Sequence, residues 1–398
     1  MASKAIEFGL PRGAILFSAD GYSYEFLEHL GPAHHGQSLF LARRRTLEGH
    51  PRGKVLLKAI PDQSGPSGGR VRRARAKLLE EVRIAEHLDH PSILKVLGLH
   101  KVHGYWYAVL EHPAGNALAD LLSMVSELGI WFTPEMTLFI GAQLAHALDH
   151  AHSATDEHGK PLNIVHRAVD PDRIFFDWDG SVQLADFGAA TSTLPGRLTT
   201  SVRRPQGDVF YASPEALLGG KVDARSDLFS LGLVMLELST GRCLLYPDAP
   251  VAPEKVAALS ERSRRRIKRS IRRATLAGLQ PTVETAIWQA ATFTEADVDA
   301  LTRGLPQSLR VLLGRLLTPA PAARYQSARE LVGDIDAWMG GIFRKADAVA
   351  ELTALVAKSV GGNKSEGMDT PLPDDSDATT TARLARGERL AVTEGESA

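Results

Sequence analysis

A single cysteine, Cys243, is all that the 398 residues contain, so no disulfide can close within the chain and a reducing compartment is expected. Long hydrophobic runs are missing too. No stretch approaches the roughly 20 apolar residues that a membrane-spanning helix requires, and the run Ala14 to Phe17 is too short for the centre of a signal peptide. Neither charge is in excess: 46 Lys and Arg against 47 Asp and Glu leave a net charge of −1. That balance argues against whole-molecule attraction to nucleic acid or membrane and confines any basic footprint to a local patch. The histidines and the cysteine lack the spacing of a structural zinc site, and there is no internal repeat. A cytoplasmic protein is the expectation. What the chain does hold, 44% hydrophobic and 23% charged residues, suffices for two or three compact units or one enzyme-sized fold.

Residues 24 to 60 read as strands, with apolar clusters at Leu39 to Ala42 and Val55 to Ile60. PDQSGPSGGRVRR reads as a flexible loop. Beyond it Leu78, Val82, Ala85 and Leu88 recur at spacings of four and three, which makes Ala74 to Leu88 an amphipathic helix ended by His90-Pro91. Tyr105 to Leu110 is a further strand and Pro134 to His152 a helix. Ile174 to Phe176 and Val182 to Leu184 flank Asp177-Trp178-Asp179-Gly180, a hairpin with a turn-forming Asp-Gly. Leu228 to Leu238 is nearly all apolar and stops at Thr240-Gly241, the pattern of a buried central helix. A small β-rich part with one helix therefore precedes a helical part.

Leu30-Gly31-Pro32-Ala33-His34-His35-Gly36 forms a Gly-x-Ala-x-x-Gly loop between strands, which alone reads equally as an ordinary hairpin. Lys58 stands inside an otherwise apolar strand, where an ammonium needs a partner or a route to water. Glu81 lies beside the apolar stripe of the helix. Such a pair serves either as a structural ion pair or as a means of holding phosphates. Further on come Ile164-Val165-His166-Arg167-Ala168-Val169-Asp170-Pro171-Asp172-Arg173-Ile174 and Leu184-Ala185-Asp186-Phe187-Gly188. On these residues, taken in order with Ser213-Pro214-Glu215, Asp227 to Gly232 and Arg324, the chain resembles a protein kinase of the bacterial serine/threonine type.

The resemblance covers roughly residues 22 to 341. It implies an α+β, two-lobed protein kinase-like fold, with a small β-rich N-lobe holding one helix (about 22–111) and a larger, mainly helical C-lobe (about 112–341). Residues 1–21 would be an extension, 342–360 a short helical segment and 361–398 a disordered Ser/Thr and acidic tail. It further implies that ATP or ADP binds through Gly31, Ala33, Gly36, Lys58, Glu81, Leu110, Glu111, His112 and Asp186, to which the charge of Arg173 adds a further expected nucleotide residue. Lys58 would contact the α and β phosphates and be oriented by Glu81. Glu111 and His112 would offer hinge backbone groups to adenine, with Leu110 at the back of its pocket. Asp186 would hold a magnesium ion.

Departures from the family pattern bear on activity. Ala168 stands where the family keeps the aspartate that accepts the substrate proton, and Arg173 where it keeps the asparagine of the second metal. Ala33 replaces the middle glycine of the phosphate loop, with Pro32 beside it, and Asp208 replaces a threonine. A pseudokinase that binds nucleotide with little phosphotransfer, acting as a signalling or scaffold module, is the leading expectation. Arg173 would offset phosphate charge and make magnesium dependence weak, the alternative being that it pairs internally with Asp170, Asp172, Asp186 or Asp208 and closes the site. An active serine/threonine kinase using Asp170 as a displaced base is the alternative. A different reaction on the same fold, or complete loss of nucleotide binding, is also left open.

Glu215 with Arg324, and Asp227, read as parts of the fold. Thr199, Thr200 and Ser201 read as ordinary polar loop residues or as phosphorylation sites that order their loop against Arg167. His34 and His35 read as exposed turn residues. A helical insert at about 249–303 carries eight cations between Arg262 and Arg273. A solvated helix, offset by the acidic tail, and a docking site for nucleic acid or an acidic surface are its two readings. A protein partner is expected without being identified.

Overall fold

The computed structural model describes residues 10–32, 37–62, 68–113, 115–195, 207–246, 251–276 and 282–362. Expectations for Ala33 to Gly36, for Thr199, Thr200 and Ser201, and for the tail from 363 onward lie outside the described residues. The chain divides into two compact units. Among the described residues, one takes those up to Leu78 together with Val96–His112, and the other takes Leu79–Lys95 and those from Pro113 on.

The first unit is a six-stranded antiparallel sheet. Strands β1 (Ile15–Ala19), β2 (Tyr22–Pro32), β3 (Ser38–Thr46) and β4 (Pro51–Pro61) precede helix α1 (Gly68–Ala85), and β5 (Val96–Val102) and β6 (Tyr105–Glu111) follow it. Their order in the sheet is β1-β2-β3-β4-β6-β5. Alternate residues of β3, β4 and β6 supply one apolar face: Phe40, Ala42, Val55, Leu57, Ala59, Tyr107 and Val109 join Phe17, Tyr24 and Phe26. Lys58 falls between Leu57 and Ala59, so the two-residue period of a strand turns it to the opposite face. It stands in register with Leu39 and Ala108.

Helix α1 starts six residues before the expected Ala74 and consumes the end of the supposed flexible loop. Arginine is a good helix former, and Arg75 is pinned by Asp62, whose carbonyl and carboxylate accept from its Nη1 at 2.9 and 3.1 Å. The helix also stops at Ala85. Leu88 is buried in the turn beyond it, where His87 N and Leu88 N bond to carbonyls three residues back.

In the second unit β7 (Asn116–Ala117), α2 (Leu118–Glu127) and α3 (Pro134–Ser153) lead to the hairpin β8 (Ile174–Phe176) and β9 (Val182–Leu184). The expected hairpin is observed, with Phe175 paired to Gln183. Helices α4 (Pro214–Leu217) and α5 (Ala224–Thr240) follow. Helix α5 is buried on nearly every face, opens on an Asp223–Ser226 capping box and ends at Gly241 with φ 66°. A Cβ on Gly241 would stand 2.0 Å from the Trp131 ring, so only glycine fits.

Helices α6 (Pro253–Ala257), α7 (Glu261–Leu276), α8 (Thr282–Thr292) and α9 (Glu295–Leu301) fill the insert, followed by α10 (Gln307–Leu316) and α11 (Ala328–Met339). The last helix, α12 (Lys345–Gly362), is no appendage. It buries Ala348 and Leu352 completely, and Glu351 accepts from Thr133 N and Oγ1 at 2.9 and 2.6 Å. A β-rich unit and a mainly helical unit make this the expected α+β class. Among the described residues no helix is long and apolar enough to cross a membrane.

Candidate functional site

The site in the second unit is organised by Asp227, a fully buried carboxylate in the first turn of α5. It accepts from the backbone N–H of His166 at 2.8 Å, from that of Arg167 at 2.7 Å and from His152 Nε2 at 2.9 Å. Those bonds hold Arg167 at φ 69°, a left-handed conformation unfavourable for a long side chain. The strain sets the direction of the chain through Ala168 to Asp170. His166 Nε2 donates to the Ala185 carbonyl at 3.1 Å and its Nδ1 accepts from Ala168 N at 3.3 Å. Burial pushes the His166 pKa below its ordinary value, against the pull of Asp227, so the ring works as a neutral bracket between the two loops. Its edge meets the ring of Phe187 at 4.5 Å.

Asp186 itself is left-handed, φ 65°, a conformation aspartate tolerates better than most residues. Its Oδ2 accepts from Arg173 Nε at 3.0 Å, while Arg173 Nη1 donates to Asp170 Oδ2 at 2.5 Å. The structure thus brings Asp170, Arg173 and Asp186 into one ion triad, with 1%, 5% and 11% of their side chains exposed. Burial works against the guanidinium charge, but Asp170 and then Asp186 outweigh it and hold the Arg173 pKa above its ordinary value. Arg173 is therefore a permanent cation spent on two carboxylates of its own chain. Glu81, also buried, reaches the same corner. Its Oε2 and Asp186 Oδ1 lie 3.0 and 3.1 Å from where a Cβ on Gly188 would stand.

The acceptor side is closed by backbone. Gly207, at φ 67°, packs directly on Ala168: a Cβ there would fall 2.8 Å from the Ala168 methyl and 3.0 Å from Asp170 Oδ2. Asp208 N donates to Asp170 Oδ2 at 3.2 Å, and the Asp208 side chain caps Phe210 N at 2.9 Å. Both Asp170 oxygens are withdrawn, since Oδ1 is buried with no hydrogen-bond partner among the described residues. Below this, Arg324 grips Glu215 with two bonds of 2.9 and 3.0 Å, and Ser226 Oγ adds a third at 2.6 Å.

The remaining proposed nucleotide residues belong to the first unit. Gly31 is the next-to-last residue of β2, with φ 100°, Lys58 is in mid-β4, and Leu110 and Glu111 close β6 just before His112. Ala33 and Gly36 lie outside the described residues. The part played by His152, Ser226 and Gly207 escapes sequence reading. Their only signals are a histidine at the end of an apolar helix, a serine in a capping box and a glycine before Asp208.

A pair of magnesium ions does not fit this donor set. Asp186 shares an oxygen with Arg173, and the position that should supply the second ligand offers a guanidinium, which has no lone pair to give. Among the described residues no group of three or more His, Cys, Asp or Glu could hold a metal ion.

Comparison with known proteins agrees with this layout. Residues 47–334 match the family described as Protein kinase domain. The tyrosine-protein kinase MasK of Myxococcus xanthus is 30% identical over 51% of this chain and 30% of its own length. A probable serine/threonine-protein kinase of Clostridium perfringens is 27% identical over 79% of the chain and 38% of its own. Serine/threonine-protein kinase PrkC of Bacillus subtilis is 34% identical over 41% and 23% respectively. The chain thus aligns with well under half the length of each of these relatives.

Proposed function

The chain belongs to the protein kinase domain family, and from that premise we propose that it is a pseudokinase: a cytoplasmic module that binds ATP or ADP and signals through a protein partner with little or no phosphotransfer. The observation that carries this reading is the Asp170–Arg173–Asp186 triad under Ala168. A positioned general base contributes about 10² to 10⁴ in rate, and Ala168 has no proton acceptor to offer. Asp170, the substitute, is held by Arg173 and Asp208 N and is buried, which supports the displaced-base kinase less well. Gly31, Ala33, Gly36, Lys58, Glu81, Leu110, Glu111, His112 and Asp186 remain the proposed nucleotide residues on their correspondence to the family motifs. Arg173, shared between Asp170 and Asp186, acts by offsetting part of the negative charge that phosphates meet at Asp186, so that they approach with less need of a metal.

Incubation with labelled ATP and a generic protein acceptor tests the proposal, with Asp186→Asn as the control for contaminating kinase. Wild type should transfer no more label than the control. Ala168→Asp should not restore transfer, because its carboxylate must displace Gly207 or lie uncompensated beside Asp170. That misfit should also lower stability by about 1–3 kcal/mol. Strong transfer by wild type, lost in Asp186→Asn, sinks the proposal. Strong transfer by Ala168→Asp alone means the other departures matter little.

A further inference from the structure

Helix α7 carries seven arginines and one lysine between Arg262 and Arg273, and every one of them is exposed. The only acid on the helix is Glu261, paired with Arg265. Its other face is spent: Ile267, Ser270 and Ala274 are buried, and Ile271 packs against the same core. At 100° per residue the cations spread over about 200° opposite that buried face. Besides Arg265, two more of them are engaged locally. Arg266 Nε donates to the Leu218 carbonyl at 2.9 Å, and Arg264 ties back to Leu259 and Ala257. Among the described residues Arg262, Lys268, Arg269 and Arg272 have no ion-pair or hydrogen-bond partner.

We propose that α7 is a docking surface for the phosphate backbone of a nucleic-acid duplex, read without regard to sequence. Arg262, Arg265, Arg269 and Arg272 follow one another at three- and four-residue steps, a straight stripe of charge every ~5 Å along ~15 Å. A duplex presents one negative charge per ~3.4 Å of each strand, a linear lattice to which such a stripe is complementary. Guanidinium forks suit phosphate oxygens better than ammonium groups do. A bilayer would need an apolar face to insert, and that of α7 is inside the protein. A protein partner would need an apolar or aromatic anchor, and single strands would need rings for base stacking. The exposed arc has no ring, and its one apolar side chain, Leu276, stands alone at the end of the helix.

The test is fluorescence anisotropy of a labelled 20-base-pair duplex of arbitrary sequence with the full chain between 50 and 200 mM KCl. Four phosphate contacts predict a slope of log affinity on log salt of about −3 to −4. Arg262→Gln/Arg269→Gln/Arg272→Gln, confirmed folded by its melting curve, should flatten that slope by about 3 and lose more than tenfold in affinity at 100 mM. Arg52→Gln/Lys54→Gln/Arg242→Gln removes the same charge from exposed positions elsewhere and should bind as wild type does. The proposal is overturned if both triple variants lose affinity equally. It is also overturned if the duplex fails to bind, whether or not a polyglutamate peptide or phosphatidylserine vesicles bind in its place.

Discussion

Arg173→Asn should lose about 3–5 kcal/mol of stability and acquire a requirement for magnesium in nucleotide binding. The stability loss follows from the triad. Removing one member of a buried ion cluster leaves the charges of the others uncompensated, and here two carboxylates, Asp170 and Asp186, lose one shared cation. In a domain of this size that lowers the melting temperature by roughly 6–10 °C. The ligand effect has the same origin. A phosphate about 5 Å from a carboxylate is repelled by roughly 3 kcal/mol at an effective dielectric near 20. If solvent removes half of that, affinity in EDTA still falls about tenfold. Magnesium should recover the loss, because Arg173→Asn takes the guanidinium off the Asp186 carboxylate and supplies an amide oxygen beside it. Arg173→Lys, which keeps the charge, should stay closer to wild type in EDTA. Tighter binding by Arg173→Asn in EDTA would mean that Arg173 closes the site instead of preparing it.

Arg324→Met should cost about 3–5 kcal/mol at neutral pH, and the cost should shrink in acid. Burial by itself pushes the Glu215 carboxyl up. The hydrogen bonds and charge of Arg324, with help from Ser226, outweigh burial and hold its pKa below the ordinary carboxylate value. A carboxylate depressed in the folded state contributes stability above its unfolded pKa and loses it as pH falls through the folded value. In Arg324→Met that contribution is gone and Glu215 is buried without its cation, so acid, by protonating it, relieves the defect. Urea melts of both proteins at pH 7 and near pH 4 should show the gap narrowing. A constant gap would mean that Arg324 acts by its packing over Phe229, 4.6 Å from the ring centroid, and not by charge.

The order of motifs was legible because each is a run of a few residues with its own period. The Asp177–Gly180 hairpin and the buried run of α5 follow directly from turn chemistry and hydrophobicity. The direction of the Arg173 side chain was not legible. A guanidinium at that position reaches either phosphate or its own aspartates, and the choice depends on Asp170 and Asp186 arriving from separate loops. Nor could sequence reveal that Gly207, 39 residues after Ala168, fills the space beside its methyl. Nor does the sequence show how wide the buried face of α7 is, because Ser270 and Ala274, which join Ile267 there, carry little hydrophobic signal. The first turns of helix α1 are hidden in the sequence because glycines and arginines there look like a loop, whereas in the fold Asp62 holds Arg75.

The most direct measurement is calorimetric titration of the wild-type chain with ATP, and with ADP, once in EDTA and once in millimolar magnesium. If Arg173 stands in for the metal charge at Asp186, both nucleotides bind in EDTA and magnesium changes the affinity by less than about threefold, under 1 kcal/mol. Binding that appears only with magnesium, or no binding under either condition, would contradict the account.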